Sequence, residues 1–68
     1  MRDVPIRDET IRLGQALKLA GLADSGGDAR ALLEDGGVTV NGEPETRRGR
    51  TLRKGDVVAA AGEEVRIA

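Results

Sequence analysis

The chain has 68 residues, room for one domain and no more, and a domain of that size buries only about 60% of the surface its unfolded chain exposes. It contains no cysteine, no histidine and no aromatic residue. These absences exclude disulfide staples, thiolate or imidazole metal sites, and recognition by bases stacked on aromatic rings. The carboxylates are scattered, singly or in adjacent pairs, and never form a dense loop of ligands, so neither a metal nor a cofactor is expected.

The formal net charge of −1 hides a strong asymmetry. Residues 1–46 carry a balance of −4, residues 47–54 of +5 and residues 55–68 of −2. The eight-residue basic stretch Arg-Arg-Gly-Arg-Thr-Leu-Arg-Lys holds no acid. A basic patch on an otherwise acidic surface points toward a polyanion.

In chain order, Val4 and Ile6 alternate with charged neighbours and predict a short strand, which Pro5 confines to an edge or a strand start. Asp8 or Thr10 is the expected N-cap of a first helix over Ile11 to Ala20. Leu13, Ala16, Leu17 and Ala20 share its apolar face, and Gly21 sits where a helix-ending glycine belongs. Ser25-Gly26-Gly27-Asp28 announces a second helix with Ser25 as N-cap and an acid three residues on. Ala29, Leu32 and Leu33 form its stripe, and Gly36-Gly37 ends it.

After Gly37 the period changes to two. Val38-Thr39-Val40 leads into Asn41-Gly42, a tight-hairpin turn in which both residues tolerate positive φ. Pro44 limits the return strand, and Thr46 to Leu52 reads as a basic, partly extended segment. Lys54-Gly55-Asp56 reads as a turn, and Val57-Val58 and Val65-Arg66-Ile67 as closing strands around Ala61-Gly62-Glu63. The expectation is a single α+β domain over residues 1–68, with two short helices packed on a small, twisted, mostly antiparallel sheet. The start of the chain carries acids and no apolar stretch, and the longest apolar run is Val57 to Ala61. No secretory signal or membrane span is therefore expected, and the cytoplasm is the expected compartment.

Catalysis is not expected. His, Cys and Tyr are absent, and Ser25 has no base to activate it and a capping role that explains it. The functional candidates are Arg47, Arg48, Arg50, Arg53 and Lys54. Four of the five are arginine, whose planar fork binds phosphate bidentately, whereas an edge strand needing only charge would do as well with lysine. Ser25, Gly26 and Gly27 add a possible anion contact at a helix N-terminus. Lys18 and Arg30 fall on exposed helical faces, and Arg30 can instead pair with Glu34.

Five fragments in register carry a family resemblance. They are Arg12-Leu13 through Leu17-Lys18-Leu19-Ala20-Gly21-Leu22, Ser25-Gly26-Gly27-Asp28-Ala29-Arg30, Gly37-Val38-x-Val40-Asn41-Gly42-Glu43, Glu45-Thr46-Arg47-Arg48-Gly49-Arg50 and Gly55-Asp56-Val57-Val58. Together they resemble the RNA-binding domain first defined in ribosomal small-subunit protein S4, here called the S4 domain. The Ser-Gly-Gly and Glu-Thr-Arg-Arg-Gly-Arg pieces look closer to the small bacterial proteins that consist of this domain alone.

The resemblance implies an alpha-L motif and an RNA surface built from the start of the second helix and the hairpin after it. On this sequence that surface takes in Ser25, Gly26, Gly27, Arg30, Asn41, Thr46, Arg47, Arg48 and Arg50. Lys18, Arg53 and Lys54 join it on charge. Two positions depart from the pattern. Many S4 domains carry an acid where this chain has Gly14, and an arginine after the capping serine where it has Gly26.

The expected partner is structured RNA, ribosomal or transfer RNA, bound by a monomer on the ribosome or beside an RNA-modifying enzyme. The rival reading is a protein adaptor whose basic hairpin docks on an acidic partner. Replacing Arg47 and Arg48 by alanine is expected to weaken RNA binding and to leave the thermal midpoint nearly unchanged, as surface changes usually cost under about 0.5 kcal/mol.

Overall fold

The computed structural model describes all of residues 1–68. The elements run β1 (Arg2–Val4), β2 (Thr10–Arg12), α1 (Leu13–Leu19), α2 (Gly26–Glu34), β3 (Thr39–Val40), β4 (Glu43–Pro44), β5 (Thr51–Arg53), β6 (Val57–Ala60) and β7 (Glu63–Ile67). This is the expected α+β arrangement. Five strands form one sheet in the order β1-β7-β6-β3-β4, and β2 pairs with β5 in a second, two-stranded sheet. Only β1 with β7 is parallel; the other pairings are antiparallel.

The expected first strand ends before Ile6, which the structure leaves outside it, and of the two prolines only Pro44 lies within a strand, at a sheet edge. β1 stops at Val4, just before Pro5, and Pro44 lies in β4 at the other edge. Period-two burial is plain in β6 and β7, where Val58, Ala60, Val65 and Ile67 point inward. They share one core of 15 buried residues with Leu13, Ala16 and Leu17 of α1 and Ala29 and Leu33 of α2. Replacing one of the fully buried leucines by alanine costs about 2–5 kcal/mol. That is a large part of the roughly 3–10 kcal/mol expected for a domain of this length.

Both helices end as their glycines predict. Leu22 N–H donates to Leu17 C=O and Gly21 N–H to Lys18 C=O, while Gly37 and Gly36 do the same to Leu32 and Leu33. These are Schellman closures, with Gly21 and Gly36 each at φ 75°. Ser25 Oγ accepts from Asp28 N–H at 3.2 Å, and the Asp28 carboxylate reaches back to Asp24 N–H at 3.3 Å. The capping box therefore forms, with its return arm one residue before the cap.

The start of α1 differs from expectation. Neither Asp8 nor Thr10 caps it. Arg12 holds the N-cap position with no side-chain hydrogen bond, and the helix runs only from Leu13 to Leu19. Ile11 is in β2, directly opposite Leu52 of β5. The orphan N–H groups of the first turn find backbone partners far along the chain, Leu13 on Arg50 C=O at 2.8 Å and Gly14 on Arg48 C=O at 3.0 Å.

The basic segment also differs. Only Thr51–Arg53 is strand. Residues 45–50 form a loop tightened by a turn in which Arg50 N–H donates to Arg47 C=O at 3.3 Å. No helix is long and apolar enough to cross a membrane.

Candidate nucleic-acid interface

The β2–β5 ladder assembles the site. α1 follows β2 directly and the arginine loop precedes β5 directly, so antiparallel pairing of Arg12 with Thr51 lays the loop across the first turn of α1. The Arg12 guanidinium then donates to Gly49 C=O at 2.9 Å. Packing of α2 against α1 brings the Gly26 end of α2 to the same place.

The result is a groove of about 270 Å³ lined by Arg12, Gly14, Gln15, Lys18, Gly26, Ala29, Arg48 and Gly49. It contains three cationic side chains and no acid, and its three glycines keep the walls low. Asp28, which would repel a phosphate here, lines a different concavity with Asp24 and Asp35, on the far side of α2.

Glu45 sits under the loop. Its side chain is only 8% exposed and meets both Arg47 and Arg50 at 3.2 Å. Oε2 accepts from Thr46 N–H at 2.9 Å, Arg47 N–H at 3.1 Å and Arg47 Nε at 3.3 Å, and Oε1 from Arg47 Nη2 and Arg50 Nη1 at 3.2 Å each. The two oxygens thus take the Arg47 fork side-on. The side-chain hydrogen bonds of Arg47 do most to lower the carboxyl pKa, the Arg47 backbone N–H adds to them, burial opposes, and Arg50 and Thr46 contribute less. The balance brings Glu45 from the usual 4.5 down to about 2. In return the Arg47 guanidinium is held still more firmly protonated, first by its hydrogen bonds to Glu45 and then by the opposite charge.

The residues singled out in the sequence thus divide. Lys18, Gly26 and Arg48 meet in the groove. Arg47 and Arg50 flank Arg48 in the loop and are held by Glu45, and Thr46 engages the same carboxylate through its backbone. Ser25 caps α2, with Gly27 in its first turn. Arg30 is on the exposed face of α2, its Nε donating to Glu34 at 2.8 Å.

Asn41 hydrogen-bonds within the fold. It takes φ 52° in the turn, donates to Asp56 at 3.1 Å and accepts from Val57 N–H at 2.9 Å. Arg53 and Lys54 border a separate concavity with Glu9 and Thr10. Sequence reasoning missed Arg12, Gln15 and Glu45. Arg12 and Gln15 enter the groove only through the distant β2–β5 pairing, whereas an acid two residues before an arginine run is a usable signal for Glu45.

The family model for the S4 domain matches residues 4–68. The chain belongs to the S4-domain family. Among curated proteins it is similar to the probable ribosome maturation protein RlbA of Bacillus subtilis (strain 168), at 51% identity over 59 residues, 87% of this chain and 83% of that protein. Among solved structures, this S4-domain chain is similar to the crystal structure of 30S ribosomal protein S4e from Thermoplasma acidophilum. The TM-score is 0.67 at 25% identity, covering 88% of this chain. The chain spans 32% of that protein's length, so the likeness is to one part of it.

Proposed function

We propose that this S4-domain protein binds structured RNA in a ribosomal setting and carries out no reaction of its own. The observation that carries the reading is the groove between the two helix starts and the arginine turn, where Arg12, Lys18 and Arg48 converge with no acid among them. Arginine forks suit phosphate oxygens, and Arg47 and Arg50 extend the cationic surface along the loop.

With no aromatic ring in the chain, bases cannot be splayed onto Phe, Tyr or Trp. The accessible mode is recognition of shape and phosphate on folded RNA, with guanidinium planes supplying any stacking. The names of the similar proteins, a ribosome maturation protein and a 30S ribosomal protein, support the ribosomal setting. The surface centres on Arg12, Lys18, Gly26, Arg47, Arg48 and Arg50. Arg30, Arg53 and Lys54 form its periphery.

The test is a salt series of binding to a ribosomal RNA hairpin, with single-stranded RNA and duplex DNA as controls. About four phosphate contacts give a log–log slope of roughly −3 to −4 together with a preference for the folded RNA. Absence of binding at low salt would overturn the reading and assign the arginines to an acidic protein partner.

A further inference from the structure

Glu45 is the only buried charged side chain of the protein, and it lies beneath the loop that faces the proposed RNA. A carboxylate at such a place has two possible effects on a polyanion. It repels the phosphates, or it organises the cations that attract them. The geometry decides between them. Its own backbone is fixed to the core, since Glu45 N–H donates at 3.0 Å to the carbonyl of Val38, a fully buried residue. From that anchor the carboxylate collects two loop N–H groups and three arginine donors, and no buried side-chain polar atom is left unpaired.

Arg47 remains 77% exposed while its Nε edge is held, so its outward edge is free for a second anion. The adjoining turn is the one whose Arg48 and Arg50 carbonyls cap α1 and whose Arg48 side chain enters the groove.

We infer that Glu45 is a positioning residue of the RNA site: it shapes the 46–50 turn and aims Arg47 and Arg50, so that removing its negative charge weakens RNA binding instead of strengthening it. The inference rests on the RNA-binding reading above. It opposes the outcome expected from net charge alone, under which any lost acid helps a polyanion to bind.

The experiment measures affinity for the same ribosomal RNA hairpin in the parent, Glu45→Gln and Glu43→Gln proteins. Glu43 is exposed on β4, close in sequence, and supplies the charge control. Glu43→Gln binds as tightly as the parent or slightly tighter. Glu45→Gln binds roughly threefold to tenfold more weakly, and most of that loss disappears in an Arg47→Ala background, because the two residues act as a unit. A general loss of structure would persist in that background.

Glu45→Gln binding as tightly as the parent, or an equal loss in both backgrounds, would overturn the inference. A parent that binds no RNA removes the RNA reading, and this role with it. A binding parent with an unimpaired Glu45→Gln removes only the role. If Glu45→Gln does not fold, the unmodified protein still decides. A slowly exchanging, shifted Arg47 Nε–H resonance at neutral pH supports the clamp, and a freely exchanging one overturns it.

Discussion

Gly14 and Arg48 touch across the start of α1: the Gly14 N–H donates to the Arg48 carbonyl at 3.0 Å, and a Cβ on Gly14 would lie 2.5 Å from Cγ of Arg48. A glycine in a helix is ordinarily a weakness of about 0.5–1 kcal/mol. Here it is the space in which the stem of Arg48 lies. Gly14→Ala gains helix propensity but displaces Arg48 from the groove. The expected outcome is a stability loss of at most about 1–3 kcal/mol with RNA affinity reduced several-fold. An alanine variant with parental affinity would show that Arg48 does not act from its position over α1.

Adjacent arginines should differ in what they do for stability. Arg48 has no ion pair, and its removal is expected to cost under about 0.5 kcal/mol. Arg47 supplies three of the five donors to a buried carboxylate, so Arg47→Ala leaves Glu45 underpaired and lowers the thermal midpoint clearly more than Arg48→Ala does. The backbone N–H survives the substitution, but both guanidinium contacts go. The double replacement therefore does not spare stability, as a purely surface reading of the two residues expects. Thermal melts of the two single variants, beside their RNA affinities, check the division.

The same carboxylate sets an acid limit. Glu45 is held at about 2 in the fold against the usual 4.5. A depressed carboxyl pKa contributes stability that is fully present above the unfolded value and is lost as pH falls toward the folded one. The difference in midpoint between the parent and Glu45→Gln is therefore constant near neutrality and narrows between about pH 5 and pH 2. Measuring melts of both proteins across that range cancels the other carboxylates. A gap that does not narrow would mean that Glu45 titrates alike in both states.

Local chemistry explains what could be read in the chain, and distance explains what could not. Gly21, Gly36 and Ser25 act through neighbours within a few residues, and each does what its position predicts. Pro44 marks a sheet edge for the same reason. The start of α1 is not legible because its first N–H groups pair with the distant Arg48 and Arg50 carbonyls, nor is β2, whose three residues pair only with β5. In the site, the arginine cluster was legible as charge. Its division into an Arg48 that enters the groove and an Arg47–Arg50 pair held by Glu45 depends on the side-chain geometry, and so does the placing of Arg12 and Gln15 opposite Arg48.

The two tight hairpins invite a swap. Asn41-Gly42 and Ala61-Gly62 each join paired strands by two residues, and Asn41 and Ala61 share φ 52°. Asparagine adopts that region at lower cost than alanine. Ala61 is exposed, so a larger side chain has room. Ala61→Asn is expected to stabilise the protein by about 0.5–1 kcal/mol, part of the roughly 1–2 kcal/mol that the left-handed region costs an L-residue, a rise of roughly 2–8 °C in midpoint for a domain of this size. RNA affinity should not change, since the β6–β7 turn is not part of the groove. An unchanged or lower midpoint in Ala61→Asn would count against a left-handed Ala61.

Gly26 offers the complementary change. It opens α2, borders the groove, and a Cβ there would meet nothing within 4 Å. It is also where many S4 domains carry an arginine. Gly26→Arg replaces a poor helix former at an open position, so stability should hold or rise by up to about 1 kcal/mol. The new guanidinium joins Arg12, Lys18 and Arg48 on a wall that holds no acid. One added phosphate contact steepens the log–log salt slope by roughly 0.7–0.9 and tightens binding most at low salt. A stable Gly26→Arg protein with an unchanged slope would show that RNA does not reach this end of the groove, and would confine the contact to the arginine loop.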